Sequence, residues 1–276
     1  MKKLRLMSNN VWWCDVNTEI WEAKGADCSA KARMPQLARM YKDLMPDVLG
    51  LQECSGRMQQ VLMAEITEMG LPYAMLWGKD TPIIYRRDKY ELVDSRAGIY
   101  PEQIPGLEGS FNNLRTKCFC IAVLRDREDG QVFIFASTHL WYKSDARQPG
   151  SEAAKAWQMD SLIDCLDALQ EKYGCGAVVV GDLNTWYVGK AVQTALARGF
   201  VHGHDVATDH ADETTGMHFC GPEGYDGILE EGGFAHAIDH ILLRGMKGTV
   251  RRYERCFPEY YAPLSDHYPL WIDVEV

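Results

Sequence analysis

The chain of 276 residues lacks the signals of several protein classes. It has no run of about 18 apolar residues, so no transmembrane helix is predicted. Its first apolar stretch is interrupted at Arg5 and again at Ser8, so the apolar region of about 7–15 residues that marks a signal peptide is missing. No internal repeat or low-complexity tract occurs. We therefore expect one domain over residues 1–276, in a cytoplasmic monomer.

Basic charge is also scarce, since 29 lysines and arginines face 39 acidic residues and the net charge is −10. A protein that binds nucleic acid through its backbone usually has a broad basic face, so a nucleic-acid partner is not favoured, although a local basic groove would still permit one. The nine cysteines contain no Cys-x-x-Cys pair. His202, His204, His210 and His218 lack the spacing of zinc ligands, and we predict buried, reduced thiols and no zinc site.

Periodic patterns predict an α/β protein. Apolar residues at helical spacing indicate helices at Ala30–Met45, from Ser55 to about Met69, and at Ser151–Tyr173, while short apolar or alternating runs indicate many strands. Ile238–Leu243 and Thr249–Arg255 are predicted to form a hairpin. Strands joined both by turns and by helices favour two mixed sheets packed face to face under helices.

Polar residues suited to binding a metal ion or a phosphate lie repeatedly at the ends of these apolar strands. Four are carboxylates, which are hard oxygen ligands suited to Mg²⁺, and two are histidines, which bind phosphate or transfer protons near neutral pH. Each residue alone has an ordinary explanation as a turn residue, a helix cap or a hydrogen-bonded core histidine. Together they favour metal-assisted hydrolysis of a phosphoester. The set is Asn10, Glu53, His139, Asp182, Asn184, Asp239, Asp266 and His267.

Six motifs in order along the chain resemble the endonuclease/exonuclease/phosphatase superfamily, which includes type I deoxyribonucleases, sphingomyelinases and inositol-phosphate phosphatases. The resemblance implies a four-layer α/β/β/α sandwich with two mixed β-sheets and a Mg²⁺ cofactor, with Mn²⁺ as an alternative. The motifs are Met7–Val11, Pro46–Glu53, Ser137–Leu140, Gly181–Asn184, Ile238–Leu242 and Ser265–Leu270.

The same resemblance implies a role for each matching residue. Asn10, Glu53 and Asp266 would form the metal and phosphate shell, with Glu53 as the principal ligand. Asp182 would orient or deprotonate the attacking water, and Asn184 would hold that water or a phosphate oxygen. His139 and His267 would contact the phosphoryl group, with Asp239 orienting His267. Some DNA-acting members carry an acidic residue where this chain has Trp12, so a second metal ligand at that position is not expected.

The substrate is less clear from the residues. Aromatic residues that follow the motifs, among them Trp141 and Trp186, are candidates to stack on a base, a sugar or a head-group. Arg115 and Lys117 precede a strand and are candidates to bind a phosphate, with Arg115 taken as the substrate-binding residue. A phosphodiester of a small molecule or head-group is favoured. A DNA or RNA nuclease and a non-catalytic binding protein are the alternatives.

Overall fold

The computed structural model describes residues 2–14, 18–23, 25, 27–210, 237–255 and 264–276. The helices are α1 (Glu19–Glu22), α2 (Ala30–Leu44), α3 (Gly56–Glu68), α4 (Ser151–Tyr173), α5 (Lys190–Ala197) and α6 (Gly203–Val206). The strands are β1 (Lys3–Asn10), β2 (Val48–Gln52), β3 (Tyr73–Leu76), β4 (Ile83–Arg86), β5 (Tyr90–Ile99), β6 (Cys118–Asp126), β7 (Val132–His139), β8 (Gly176–Asp182), β9 (Val201–His202), β10 (Asp209–His210), β11 (Asp239–Arg244), β12 (Thr249–Arg255) and β13 (Leu270–Glu275).

The described strands form two mixed sheets that pack face to face. The first sheet has seven strands in the order β10-β12-β13-β1-β2-β4-β3, and the second has six in the order β5-β6-β7-β8-β11-β9. Apolar residues of both sheets, such as Leu6, Ile272, Phe135 and Val180, share one buried core between them. The fold class predicted from sequence, a four-layer α/β/β/α sandwich, is confirmed.

Helices cover the outer face of each sheet. Residues of α2 and α3 such as Leu37 and Leu62 bury against outward-facing Leu49 and Leu51 of β2. On the second sheet, Leu162 of α4 packs with Val179 of β8 and with α5. Since alternate residues of a strand point to opposite faces, each central strand contributes to two cores at once. This explains why the central strands are almost continuously apolar.

Both helix and strand patterns were largely correct, including the Ser55 cap, whose hydroxyl accepts a hydrogen bond from the Met58 N–H in the first turn of α3. The predicted hairpin of Ile238–Leu243 and Thr249–Arg255 is wrong. β11 pairs with β8 and β9 in the second sheet, whereas β12 pairs with β13 and β10 in the first. Gly245 and Gly248, at φ +66° and +98°, turn the connection from one sheet to the other.

Strand direction gathers the polar strand ends at one edge of the sandwich. β1 runs parallel to β2 in the first sheet, and β7 runs parallel to β8 in the second. The contact of Asn10, at the end of β1, with Asp182, at the end of β8, shows that all four strands end at the same edge. β11 and β13 are antiparallel to β8 and β1 and therefore begin there. His139, Asp182 and Asp239 are direct register partners across β7, β8 and β11. Because side chains two residues apart share a face, all three point toward the first sheet, as Phe135, Val180 and Ile241 do.

The two sheets are in close contact just below that edge, at Gly50 of β2. A Cβ atom on Gly50 would lie 2.5 Å from Cγ2 of Val180 and 2.9 Å from Cβ of Ser137. Next to this contact, the Gln52 amide donates to the Ser137 hydroxyl at 3.0 Å, and that hydroxyl donates to the Leu51 carbonyl at 2.8 Å. These buried hydrogen bonds fix the spacing and the register of the two sheets.

None of the helices in the described part of the chain combines the length and the apolar character that a membrane crossing requires.

We predict that Gly50→Ala lowers the free energy of unfolding by roughly 1–3 kcal/mol, because the added methyl overpacks two short strand side chains. Gly56→Ala is the matched control, since a Cβ at Gly56 meets nothing within 4 Å. Urea denaturation of both variants measures the effect. Equal stability of the two variants would contradict a tight contact between the sheets.

Candidate active site

Asp182 lies at the centre of the cluster of polar strand ends. Its Oδ2 accepts a hydrogen bond at 3.1 Å from Nδ2 of Asn10, which belongs to the first sheet. Its Oδ1 accepts a hydrogen bond at 2.8 Å from the backbone N–H of Asn184. His139 Nε2 and His267 Nε2 are 3.5 and 3.9 Å from Oδ2. The motif residues of both sheets therefore meet at one carboxylate that is only 2% exposed.

Two histidines flank Asp182, and they differ in protonation. His267 Nδ1 is 2.7 Å from Oδ2 of Asp239. Burial disfavours its charged form, but the surrounding carboxylates, Asp239 first, outweigh this and raise the pKa of His267 well above its ordinary value. Burial lowers the pKa of His139 well below its ordinary value, and the neighbouring Lys117 adds to that effect. His267 is thus a cation at neutral pH and His139 is neutral.

Lys117 brings a buried positive charge to the site. It is 4% exposed, and its Nζ lies 2.6 Å from Nε2 of His139, which as a neutral ring can accept a hydrogen bond from the ammonium. Burial lowers the pKa of Lys117, while the charges of Glu53 and Asp182 act in the opposite direction. Asn112 fixes the lysine by accepting its backbone N–H at 3.0 Å and donating to its carbonyl at 2.9 Å.

Further carboxylates lie beside this group. Glu53 Oε1 is 3.9 Å from His139 Nε2, and its Oε2 accepts the N–H of Trp13 at 3.0 Å. Asp266 Oδ1 lies 4.0 Å from His267 Nε2. Asp80 is also buried near Glu53 and Lys117. The sequence analysis did not predict it as a site residue.

The crowding of these acids raises their pKa values. Burial and then the charge of Asp239 raise the pKa of Asp182 to about 7, and burial with the charge of Glu53 raises the pKa of Asp266 to about 6. Burial, with Glu53 as the main repulsive neighbour, raises the pKa of Asp80 to about 6. Such carboxylates lack sufficient positive charge around them, which a bound cation would supply.

The residues fit a divalent cation. Glu53, His139 and Asp182 each offer a ligand atom, and these atoms lie within 4.8 Å of one another. Oδ1 of Asp266 is buried without a hydrogen-bond partner among the described residues, as expected of an oxygen reserved for an ion. The amide oxygen of Asn10, predicted as part of the metal shell, accepts the Trp12 N–H at 2.9 Å and retains one lone pair.

The loops that carry these groups are strained and firmly held. Five of the six described non-glycine residues with positive φ lie in loops at this edge: Trp12, Glu53, Leu114, Arg115 and Asn184. Arg33, 1% exposed, donates to the carbonyls of Val11, Trp12 and Leu264 at 2.6–2.7 Å. One buried guanidinium thereby ties the loop after Asn10 to the loop before Asp266.

The site opens into a pocket of about 390 Å³. Its floor contains Glu53, Asp80, His139, Asp182 and His267, and its wall includes Trp13, Leu114, Tyr142 and Ile238. Leu114 and Tyr142 are 72% and 44% exposed, so the pocket combines a charged floor with an apolar and aromatic rim.

The model of the Endonuclease/Exonuclease/phosphatase family matches residues 10–267, from the first polar strand end to the last. The chain belongs to this family. No curated protein matches it in sequence. Among solved structures, a family protein from Bacteroides thetaiotaomicron is 17% identical, with a TM-score of 0.75 and coverage of 99% of this chain and 97% of that one.

Two other solved structures that resemble this chain have names that describe a substrate or a product. A mannosyl-6-phosphatase from Bacteroides thetaiotaomicron VPI-5482 is 18% identical, with a TM-score of 0.74 and coverage of 99% and 100%. TDP2 of D. rerio, in complex with a single-strand DNA product, is 17% identical, with a TM-score of 0.69 and full coverage of both chains. At these identities the likeness shows a shared fold.

The predicted substrate-binding residues of this family member lie in different settings. Arg115 is exposed, and the pocket wall beside it consists of Leu114, Thr116 and Lys117. Trp141, a candidate to stack on the substrate, is only 2% exposed and packs against Phe111 and α4 instead of lining the pocket. Trp186 is 52% exposed, two residues after Asn184. Of the histidines considered for zinc, His202 hydrogen-bonds His240 at 3.0 Å, and His218 lies outside the described residues.

Metal-free stability should reveal the raised pKa of Asp182. In the unfolded chain its pKa is near 3.8, and in the folded chain it is about 7, so ionisation destabilises the fold increasingly as pH rises between these values. We predict that Asp182→Asn, in EDTA at pH 8, melts at least about 2 °C above the wild type, and that the difference shrinks as pH falls toward 4. A difference that is independent of pH would contradict the raised pKa.

Proposed function

We propose that this chain is a hydrolase that cleaves a phosphodiester of a small molecule or a head-group with the help of a divalent metal, Mg²⁺ or alternatively Mn²⁺. The observation that carries the proposal is the convergence of Glu53 and Asp182 with one neutral and one charged histidine at the floor of a pocket, with Asp266 beside the charged histidine. The family match adds to it, since the family is named for enzymes that act on phosphoesters.

Glu53 would hold the metal, with His139 or Asp182 within reach of it. Asp266 would be a further ligand, since its buried Oδ1 has no hydrogen-bond partner among the described residues. A bound ion would polarise a phosphoryl oxygen and offset its charge. Asp182 is suited to accept a proton from the attacking water, because its carboxylate lies at the floor of the pocket beside both histidines. Asn10 and Asn184 orient it by donating to its two oxygens.

His267 and Lys117 would stabilise the charge that develops on the phosphate. The Asp239 carboxylate holds Nδ1 of His267, which directs Nε2 toward Asp182 and the pocket. A charged Nε2–H there can donate to a phosphoryl or leaving-group oxygen. Lys117 supplies a second positive charge beside His139, at a position where burial strengthens its interaction with an anion.

A small substrate suits the charge of the pocket better than a nucleic acid. Lys117 is the sole lysine or arginine among the described residues that line it, whereas a nucleic-acid groove contacts many phosphates. A nuclease is the second candidate, favoured by the exposed Tyr142 and Trp186 as stacking surfaces and by the fold shared with a DNA-bound relative. Cytoplasmic location, a single domain and a monomeric state remain predictions from the sequence.

Hydrolysis of bis(p-nitrophenyl) phosphate with Mg²⁺ or Mn²⁺ tests the proposal. We expect turnover that EDTA abolishes and that Asp182→Asn lowers at least about 100-fold in kcat, as the loss of a general base does. Turnover that survives EDTA would contradict the metal dependence. Hydrolysis of p-nitrophenyl phosphate but not of the diester would show that the substrate is a phosphomonoester. Inactivity on both compounds would favour a non-catalytic binding protein.

The same assay separates Lys117 from its exposed neighbour. Lys117→Met should lower kcat/KM by roughly 100-fold, since it removes a buried charge that faces the phosphate. Arg115→Met is the matched control and should change kcat/KM by no more than about twofold, because water and salt screen an exposed charge. Equal effects of the two substitutions would argue against a phosphate contact by Lys117.

A further inference from the structure

Residues 183–189, which follow Asp182, are hydrogen-bonded on the side away from the pocket by two residues in the first two turns of helix α4. Nζ of Lys155 donates to the backbone carbonyl of Asn184 at 2.6 Å and to Oε1 of Glu152 at 2.6 Å. Oε2 of Glu152 accepts the hydroxyl of Thr185 at 2.9 Å. One ion pair on α4 thus binds two consecutive residues of the segment, and one of them is Asn184 of the site.

Lys155 is an unusual residue at this place because it is only 2% exposed. Removing an ammonium from water is costly, and a buried ion pair often contributes less to stability than apolar residues of the same size. An apolar side chain at position 155 would avoid that cost. What an apolar side chain cannot do is bind the Asn184 carbonyl and set the position of that residue.

Asn184 is a residue whose position matters for the chemistry. It has φ +51°, in the left-handed region that most residues avoid and that asparagine enters more readily than other non-glycine residues. Its backbone N–H donates to Oδ1 of Asp182 at 2.8 Å, and its side-chain amide donates to the Leu140 carbonyl at 3.1 Å. A shift of the Asn184 carbonyl would move the N–H away from Asp182 and turn the side chain in the pocket.

We propose that Lys155, paired with Glu152, is a positioning residue that holds Asn184 in its left-handed conformation and thereby orients Asp182 for catalysis. Lys155 binds the carbonyl side of Asn184, away from the pocket, so it is not expected to touch the substrate. The segment has a second attachment, because Nε2 of His240 lies 2.8 Å from the Thr185 carbonyl. With that attachment intact, a variant at Lys155 should fold with a misplaced Asn184.

A double-mutant cycle distinguishes positioning from general support, and its kinetic arm rests on the proposed function. In the diester assay, Lys155→Met should lower kcat by roughly 10- to 100-fold, as a displacement of about 1 Å can, while KM changes by less than about threefold. In an Asn184→Ala background the same substitution should cost less than about twofold, since it acts through Asn184. Equal losses in both backgrounds would overturn the proposal, and Lys155→Arg should recover part of the lost rate.

Amide hydrogen exchange tests the proposal without any substrate. Lys155→Met should speed exchange of the peptide that covers residues 183–189 by roughly tenfold, since its anchoring contact is gone. Lys172→Met, at the far end of α4 and paired with Asp94 on the surface, is the control and should leave that peptide unchanged. Unchanged exchange in Lys155→Met would overturn the proposal whether or not the wild type shows turnover.

A third variant covers the case in which Lys155→Met does not fold. Glu152→Gln keeps the lysine in place but removes the carboxylate that holds it and the Thr185 hydroxyl. It should show the same loss of kcat, smaller in size, and the same dependence on Asn184. A stable Glu152→Gln variant with wild-type kcat and wild-type exchange in residues 183–189 would also overturn the proposal.

Discussion

The close packing of the two sheets is the constraint on which the site depends. At Gly50 the first sheet comes so near to Val180 and Ser137 of the second that no side chain fits between them. One step further along the strands, the same spacing allows Asn10 of one sheet to hydrogen-bond Asp182 of the other at 3.1 Å. Strand ends from two sheets can form one site only while that spacing holds. The helices contribute by burying the outer faces and so keeping both sheets in place.

A second consequence of this geometry is electrostatic. Sheets that meet so closely bury acids together, and the pKa values of Asp182 and Asp266 rise to about 7 and about 6. Such a site costs stability in exchange for reactive groups, a common trade in enzymes. Buried cations have two different functions in it. Lys117 faces the acids from within the pocket, whereas Arg33 and Lys155 bind backbone carbonyls behind it and hold the loops in place.

The fold class and most of the helices were predictable from the sequence, because apolar periodicity reports which face of each element is buried. The strand-end residues were found for the same reason, since each follows an apolar run. Pairing was not predictable for β11 and β12, because alternation does not tell which sheet a strand joins. The burial of Lys117 beside His139 was not predictable, because it depends on a loop whose residues Leu114 and Arg115 adopt positive φ. Trp141 is buried because the loop at Phe111 and helix α4 cover it. Phe111 is distant from Trp141 in the sequence, so local patterns do not predict this contact.

The central claim is that these strand ends form a site for a divalent cation. Anomalous diffraction from crystals soaked in Mn²⁺ tests it most directly, because it locates the ion without a substrate and without turnover. The account predicts a peak at about 2–2.5 Å from a carboxylate oxygen of Glu53, with Asp266 or Asp182 as a further ligand. At saturating Mn²⁺, the absence of a peak at Glu53, or a peak elsewhere on the surface alone, would contradict the account.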